Sequence, residues 1–348
     1  MTTAPLSLAR RPRRRARGAL GTGFLLTPGG LLLVLFALLP LVALLIIGFT
    51  NGSGSLTVEN FAEMFSSPVY MSLLGRTLLI AFGVTVVSIA LAWPAAWALA
   101  RYTSPRVKPL ILGFVIIPYI TSQLLLIYGF VSLIQAGGPV MSLLSAIGLA
   151  DPQASIMYTP AANILMLVQE SIPTAILVMY SASEQISGSV LEASRTLGAS
   201  KGFVFTRVIW PLSTAMIGVN FALTFVQTVG AFAEPAILGG PNGQMLGNTI
   251  SAQLSAGVHQ QFAVAMSLVL LVTSLAIVGG VTGLLTWSRN ALSGVSKAGR
   301  PKAERVLAQA RLAEDALTTQ DALANHEVVS TAAPTAASTA SPTEGALR

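Results

Sequence analysis

Glu170 and Glu234 fall inside long apolar stretches of a chain in which no Lys or Arg lies deep in any such stretch. An ionised carboxylate in lipid costs on the order of 3 kcal/mol on insertion scales, so each is expected to face a protein interior or a wet cavity. Such residues could hold a small cation or relay a proton, whereas an anion would more naturally meet Arg, Lys or a helix N-terminus. Read as one helix, Asn220, Thr224, Gln227, Ala231 and Glu234 recur every three or four residues and share a face. The stripe is about 21 Å long, most of the hydrocarbon thickness. It either bonds to a neighbouring helix or lines a pathway, and the same two readings apply to Tyr119, Gln123 and Tyr128. Glu234-Pro235, beside Gly239-Gly240-Pro241-Asn242-Gly243, is either an outer gate or a helix end.

Other chemistry is sparse. The chain has no cysteine, and its two histidines, His259 and His326, are far apart, which disfavours disulfides, thiolate chemistry and a histidine metal site. No Gly-rich phosphate loop followed by Lys-Ser/Thr occurs, so no nucleotide site, catalytic residue or cofactor is expected on this chain.

The elements that must position these residues are membrane helices. Of 348 residues, 53% are hydrophobic and 9% charged, against about a quarter charged in soluble domains. The expected fold is an all-α integral membrane protein with six transmembrane helices, near 31–49, 73–100, 110–134, 161–182, 212–238 and 262–287. The first run is longer than a signal-peptide core, and Pro40 and Pro118 are expected to kink or interrupt their spans. A short helix is expected around Asn60, Phe61 and Phe65. Gly279 and Gly283 match a small-xxx-small pattern for close helix packing. The domain reading is a basic segment 1–30, a membrane domain 31–287 and a largely disordered tail 288–348, with one amphipathic helix near 304–323. No internal repeat supports a transporter built from inverted halves.

Charge sets the orientation. Six Lys and Arg precede the first span, three lie between the second and third, three between the fourth and fifth, and seven in the tail; Arg76 alone lies opposite. By the positive-inside rule the termini and the 190–212 loop are expected to be cytoplasmic. The same distribution, by membrane side rather than on one folded face, argues against nucleic-acid binding for a chain of net charge +7.

The 190–212 loop is longer than a turn requires. Ser189 and Glu192 have capping-box spacing, and Gly198 can take the left-handed conformation that ends one helix before Ser200 starts another. These residues resemble the cytoplasmic signature of permease subunits of binding-protein-dependent ABC importers: Glu-Ala-Ala, three residues, Gly, nine residues, Ile, one residue, Leu-Pro. Here it reads Glu192-Ala193-Ser194, Gly198 and Val208-Ile209-Trp210-Pro211, with Glu192, Ala193, Gly198 and Pro211 matching and Ser194, Val208 and Trp210 departing. The asparagine-phenylalanine region after the first span and the Glu-Pro/Leu-Gly-Gly region after the fifth resemble the spermidine/putrescine-type branch.

The resemblance implies a non-catalytic permease whose loop between the fourth and fifth spans is a coupling helix. Its implied partners are an ABC ATPase dimer, a second permease, an extracytoplasmic solute-binding protein and membrane lipid. ATP hydrolysis is then expected on the partner, in a bacterial-type cytoplasmic (inner) membrane. Acids without bases in the spans favour a polyamine or similar small cation. Alternatives are another small solute, an ion-coupled secondary transporter or channel using Glu170 and Glu234, or a scaffold without a pathway.

Overall fold

A computed structural model describes residues 19–149, 151, 153–257 and 259–293. The basic segment before residue 19 and the tail beyond 293, including the amphipathic helix expected near 304–323, lie outside the described residues. The described residues are helical almost throughout. In order, the helices are α1 (Ala19–Gly48), α2 (Glu59–Ser66), α3 (Pro68–Arg101), α4 (Lys108–Ile120), α5 (Gln123–Ile134), α6 (Pro139–Ala146), α7 (Pro160–Gln185), α8 (Gly188–Thr196), α9 (Lys201–Val204), α10 (Trp210–Val229), α11 (Ala233–Leu238), α12 (Leu246–Ala256) and α13 (Gln260–Ser293), with a π-helical turn at Phe205–Ile209. Among the described residues, five helical stretches are long and apolar enough to cross a membrane: Pro68–Arg101, Gln123–Ala146, Pro160–Gln185, Gly202–Val229 and Gln260–Ala291. Val34–Gly48 and Lys108–Ile120 are shorter apolar helices.

Local chemistry explains several boundaries. Pro68 and Pro160 open α3 and α7, where a missing N–H costs nothing. Thr159 caps α7 by accepting from Ala162 N at 3.2 Å. At the end of α1, Asn60 Nδ2 donates to Gly48 O and Thr50 O, both at 3.1 Å, and Phe61 lies 4.6 Å from Phe49 between ring centroids. The expected short helix is thus α2, and its asparagine satisfies carbonyls that α1 leaves open.

Helices α3, α7, α10 and α13 form the centre. Leu74, Ala81, Phe221, Phe225, Met266 and Leu270 make the largest buried cluster, while Ala96, Met179 and Ile217 form another where α3, α7 and α10 meet. Buried Thr77, Thr85, Ser171 and Ser183 each donate to the carbonyl four residues back in their own helix. They therefore sit in an apolar interior without an unmet donor.

The 110–134 span is interrupted after Pro118 as expected, dividing at Thr121–Ser122, where the extended backbone ends α4 and starts α5. Three details differ from expectation. The 212–238 span is two helices: α10 stops at Gly230, Ala231 N turns back to Thr228 O, and α11 begins after Phe232. The 135–160 connection carries an additional helix, α6. Gly279 and Gly283 are exposed and have nothing within 4 Å of an added Cβ, so they pack no helix among the described residues.

Candidate functional site

The division after Gly230 removes Glu234 from the continuous face expected for α10 and turns it back into the bundle. Glu234 sits in the first turn of α11, fully buried, and Gln123 at the start of α5 donates to its Oε1. The same Gln123 Nε2 lies 3.4 Å from Glu170 Oε1 on α7, and Gln227 on α10 donates to that Glu170 oxygen at 3.3 Å. Four helices therefore converge two carboxylates and two amides.

They line a cavity of about 230 Å³ with Leu167, Ser171, Thr228, Ala231 and Phe232. Its polar wall offers carboxylate oxygens, and among the described residues no basic side chain lines it. Glu234 Oε2 is buried with no hydrogen-bond partner among the described residues. An ammonium group carries three donors and no acceptor, so this wall is suited to one, with Leu167, Ala231 and Phe232 available to methylene groups.

Asn220 and Thr224 are placed elsewhere. Both are fully buried in the α10 packing, where Thr224 Oγ1 donates to Asn220 Oδ1 at 3.4 Å. Among the stripe residues, Gln227, Ala231 and Glu234 reach the cavity. Gln123, which the sequence offered as either lining or packing, joins them from the first turn of α5, directly after the break at Thr121–Ser122. Tyr119 bonds instead to Thr174 on α7, and no cluster of three His, Cys, Asp or Glu able to hold a metal occurs among the described residues.

A second feature lies at the opposite end of α7. Helix α8 presents Glu192 and Ala193, both exposed, and Gly198 ends the segment with φ +75°. Ala199 N donates to Ser194 O at 3.1 Å, and Phe203 N to Ser200 Oγ at 3.3 Å, so one helix closes and the next is capped as the glycine and serine imply. Ser189 lies within α8, its hydroxyl donating to Ser187 Oγ at 3.2 Å. The capping box with Glu192 is not formed, because the helix begins at Gly188, two residues before the start that a Ser189 N-cap would set.

Trp210, where the signature has leucine, stacks on Trp93 of α3 with centroids 5.8 Å apart and an interplanar angle of 23°, and Phe205 packs on the same Trp93 at 5.8 Å. The larger residue thus joins the loop's exit to α3. Pro211 occupies the first turn of α10, directly after the π-helical turn.

The sequence profile of the binding-protein-dependent transport system inner membrane component family matches residues 88–286, which include α7, α8 and the cavity residues. The chain belongs to this family. The permease is 32% identical over 268 residues to the spermidine/putrescine transport system permease protein PotB of Salmonella typhimurium (strain SL1344), a match covering 75% of this chain and 90% of the relative. PotB of Escherichia coli (strain K12) is also 32% identical over 268 residues, covering 75% and 94%. A solved bacterial ABC transporter that imports the acidic polysaccharide alginate has the same fold, with a TM-score of 0.63 over 77% of this permease and 96% of that chain at 17% identity. The protein is therefore a multi-pass inner membrane transport component, and its relatives are permeases rather than enzymes.

Proposed function

We propose that this permease forms the translocation pathway of an ABC importer for a polyamine or a similar small cation. The observation that carries the substrate reading is the convergence of Glu170 and Glu234 on one cavity that no base lines among the described residues. The names of the PotB relatives favour the same substrate class. One ammonium of the solute binds between the carboxylates and the Gln123 and Gln227 amides, and the carboxylates offset the cost of stripping water from it.

In this reading residues 31–287 are the permease domain of six spans, with Val34–Gly48 in the first and α4 with α5 in the third. The 1–30 segment and 288–348 tail are cytoplasmic. Helix α8 is the coupling helix, and Glu192, Ala193, Gly198 and Pro211 define its contact with an ABC ATPase dimer. A second permease completes the pathway within the lipid bilayer, and an extracytoplasmic solute-binding protein delivers the solute. ATP-driven closure of the ATPases moves α8 and tilts α7 and α10, opening the pathway outward.

The test is uptake of labelled spermidine by cells expressing the complete importer, with competition by unlabelled spermidine, putrescine or an anionic solute. Competition by the polyamines alone supports the reading. Competition by the anion alone overturns the substrate class.

A further inference from the structure

Helices α3 and α7 lie side by side and run in the same direction. Near their starts, Arg76 Nη1 donates to Asn242 O at 2.9 Å and Asn163 Nδ2 to Gly243 O at 3.3 Å, both in one loop. At their ends, Arg101 of α3 meets the last turn of α7. Two helix C-termini are thus adjacent, each with open carbonyls and a partial negative charge of about half an elementary unit. Parallel termini of one sign repel, and something must offset them.

Arg101 Nη2 donates to Ser183 O at 3.1 Å and also to Ile186 O, while its guanidinium lies 5.1 Å from the centre of the Trp97 ring. Lys108 Nζ treats the other terminus in the same way, donating to Ala100 O at 3.3 Å and pairing with Glu184 Oε1 at 2.8 Å. Ile186 is the extended residue that ends α7, and α8 begins at Gly188. Ile186 and Ser187 alone join the two helices, and Arg101 holds the first of them.

We propose that Arg101 is a positioning residue that locks the α7–α8 joint to α3, so that displacement of α8 reaches α7 and Glu170 as rigid motion rather than being absorbed at Ile186. The inference rests on reading α8 as the helix that meets the ATPase. Arginine suits the position: both carbonyl bonds leave from Nη2 while the guanidinium lies over an indole, a combination that a lysine ammonium reproduces only in part.

Because the chain has no cysteine, spin labels can be placed through Ser104→Cys and Ser187→Cys in the full chain. With Arg101 present the interlabel distance distribution is narrow. Arg101→Gln is expected to broaden it at least about twofold, with Arg101→Lys between the two. Equal widths in all three overturn the proposal.

In the reconstituted importer, Arg101→Gln is expected to keep ATP hydrolysis and the bound ATPase but lower solute moved per ATP about tenfold, with partial recovery in Arg101→Lys. An unchanged ratio overturns the proposal. So does loss of the protein or of its ATPase in both variants alike, which would assign Arg101 to folding alone. Absence of ATP-dependent uptake in the wild type would instead remove the importer reading, and the label distances would still decide what Arg101 does.

Discussion

Glu170 and Glu234 come from different helices, yet both carboxylates accept from a single atom, Gln123 Nε2. That shared donor fixes the two acids on one cavity wall and leaves Glu234 Oε2 without a hydrogen-bond partner among the described residues. In the proposed reading, a solute that supplies donors completes the arrangement.

Neutralising either acid should therefore weaken solute retention. Glu234→Gln is expected to raise the KM for spermidine uptake about ten- to hundredfold, as expected when a charged hydrogen bond worth roughly 1.5–3 kcal/mol is lost. Glu170→Gln should have a smaller effect, because Glu170 is only part-buried. Concentration-dependent uptake checks both, and an unchanged KM in both variants would count against the site.

Asn220 and Thr224 provide the matching control. They bond to each other inside α10 packing, so Thr224→Val should lower thermal stability by about 1 kcal/mol and leave the spermidine KM unchanged. A melting series beside the uptake assay separates the two effects.

At Gly198 the backbone has φ +75° with open space around the Cβ position. Gly198→Val then meets conformational strain without a clash, costing about 1–2 kcal/mol, whereas Gly198→Asn is tolerated better. Gly198→Val should still accumulate in the membrane but recover less ATPase on co-purification. Equal recovery for both variants would show that the turn does not set the contact surface.

Gly240 is constrained differently. Its φ is +57°, and a Cβ would fall 2.2 Å from Tyr158 O. A backbone atom cannot yield as a flexible side chain can, so Gly240→Ala should sharply reduce accumulation. Membrane immunoblotting checks this.

Much of this arrangement is legible in the residues. The reversal at Gly198, the cap at Ser200 and the short helix holding Asn60 follow from local stereochemistry, which sequence carries directly. The end of α10 at Gly230 does not, because the apolar pattern of 212–238 continues across it. Moving Glu234 onto α11 is a tertiary outcome, and so is the meeting of Gln123 with both acids. Arg101 is visible in sequence only as a positive charge at a span end. Its reach to Ser183 and Ile186 depends on α3 and α7 running in parallel, which composition and periodicity do not specify. Gly279 and Gly283 show the reverse limit: a packing pattern is present, but no helix among the described residues meets it.

The most direct test of the central claim is ATP-driven uptake of labelled spermidine into proteoliposomes containing the purified permease with its ATPase, second permease and binding protein, for wild type, Glu192→Lys and Glu234→Gln. The account predicts ATP-dependent accumulation by wild type, loss of ATPase association or of coupling between hydrolysis and uptake in Glu192→Lys, and intact ATPase association with a raised KM in Glu234→Gln. Wild-type uptake that follows an ion gradient and ignores ATP, with Glu192→Lys fully active, would contradict it.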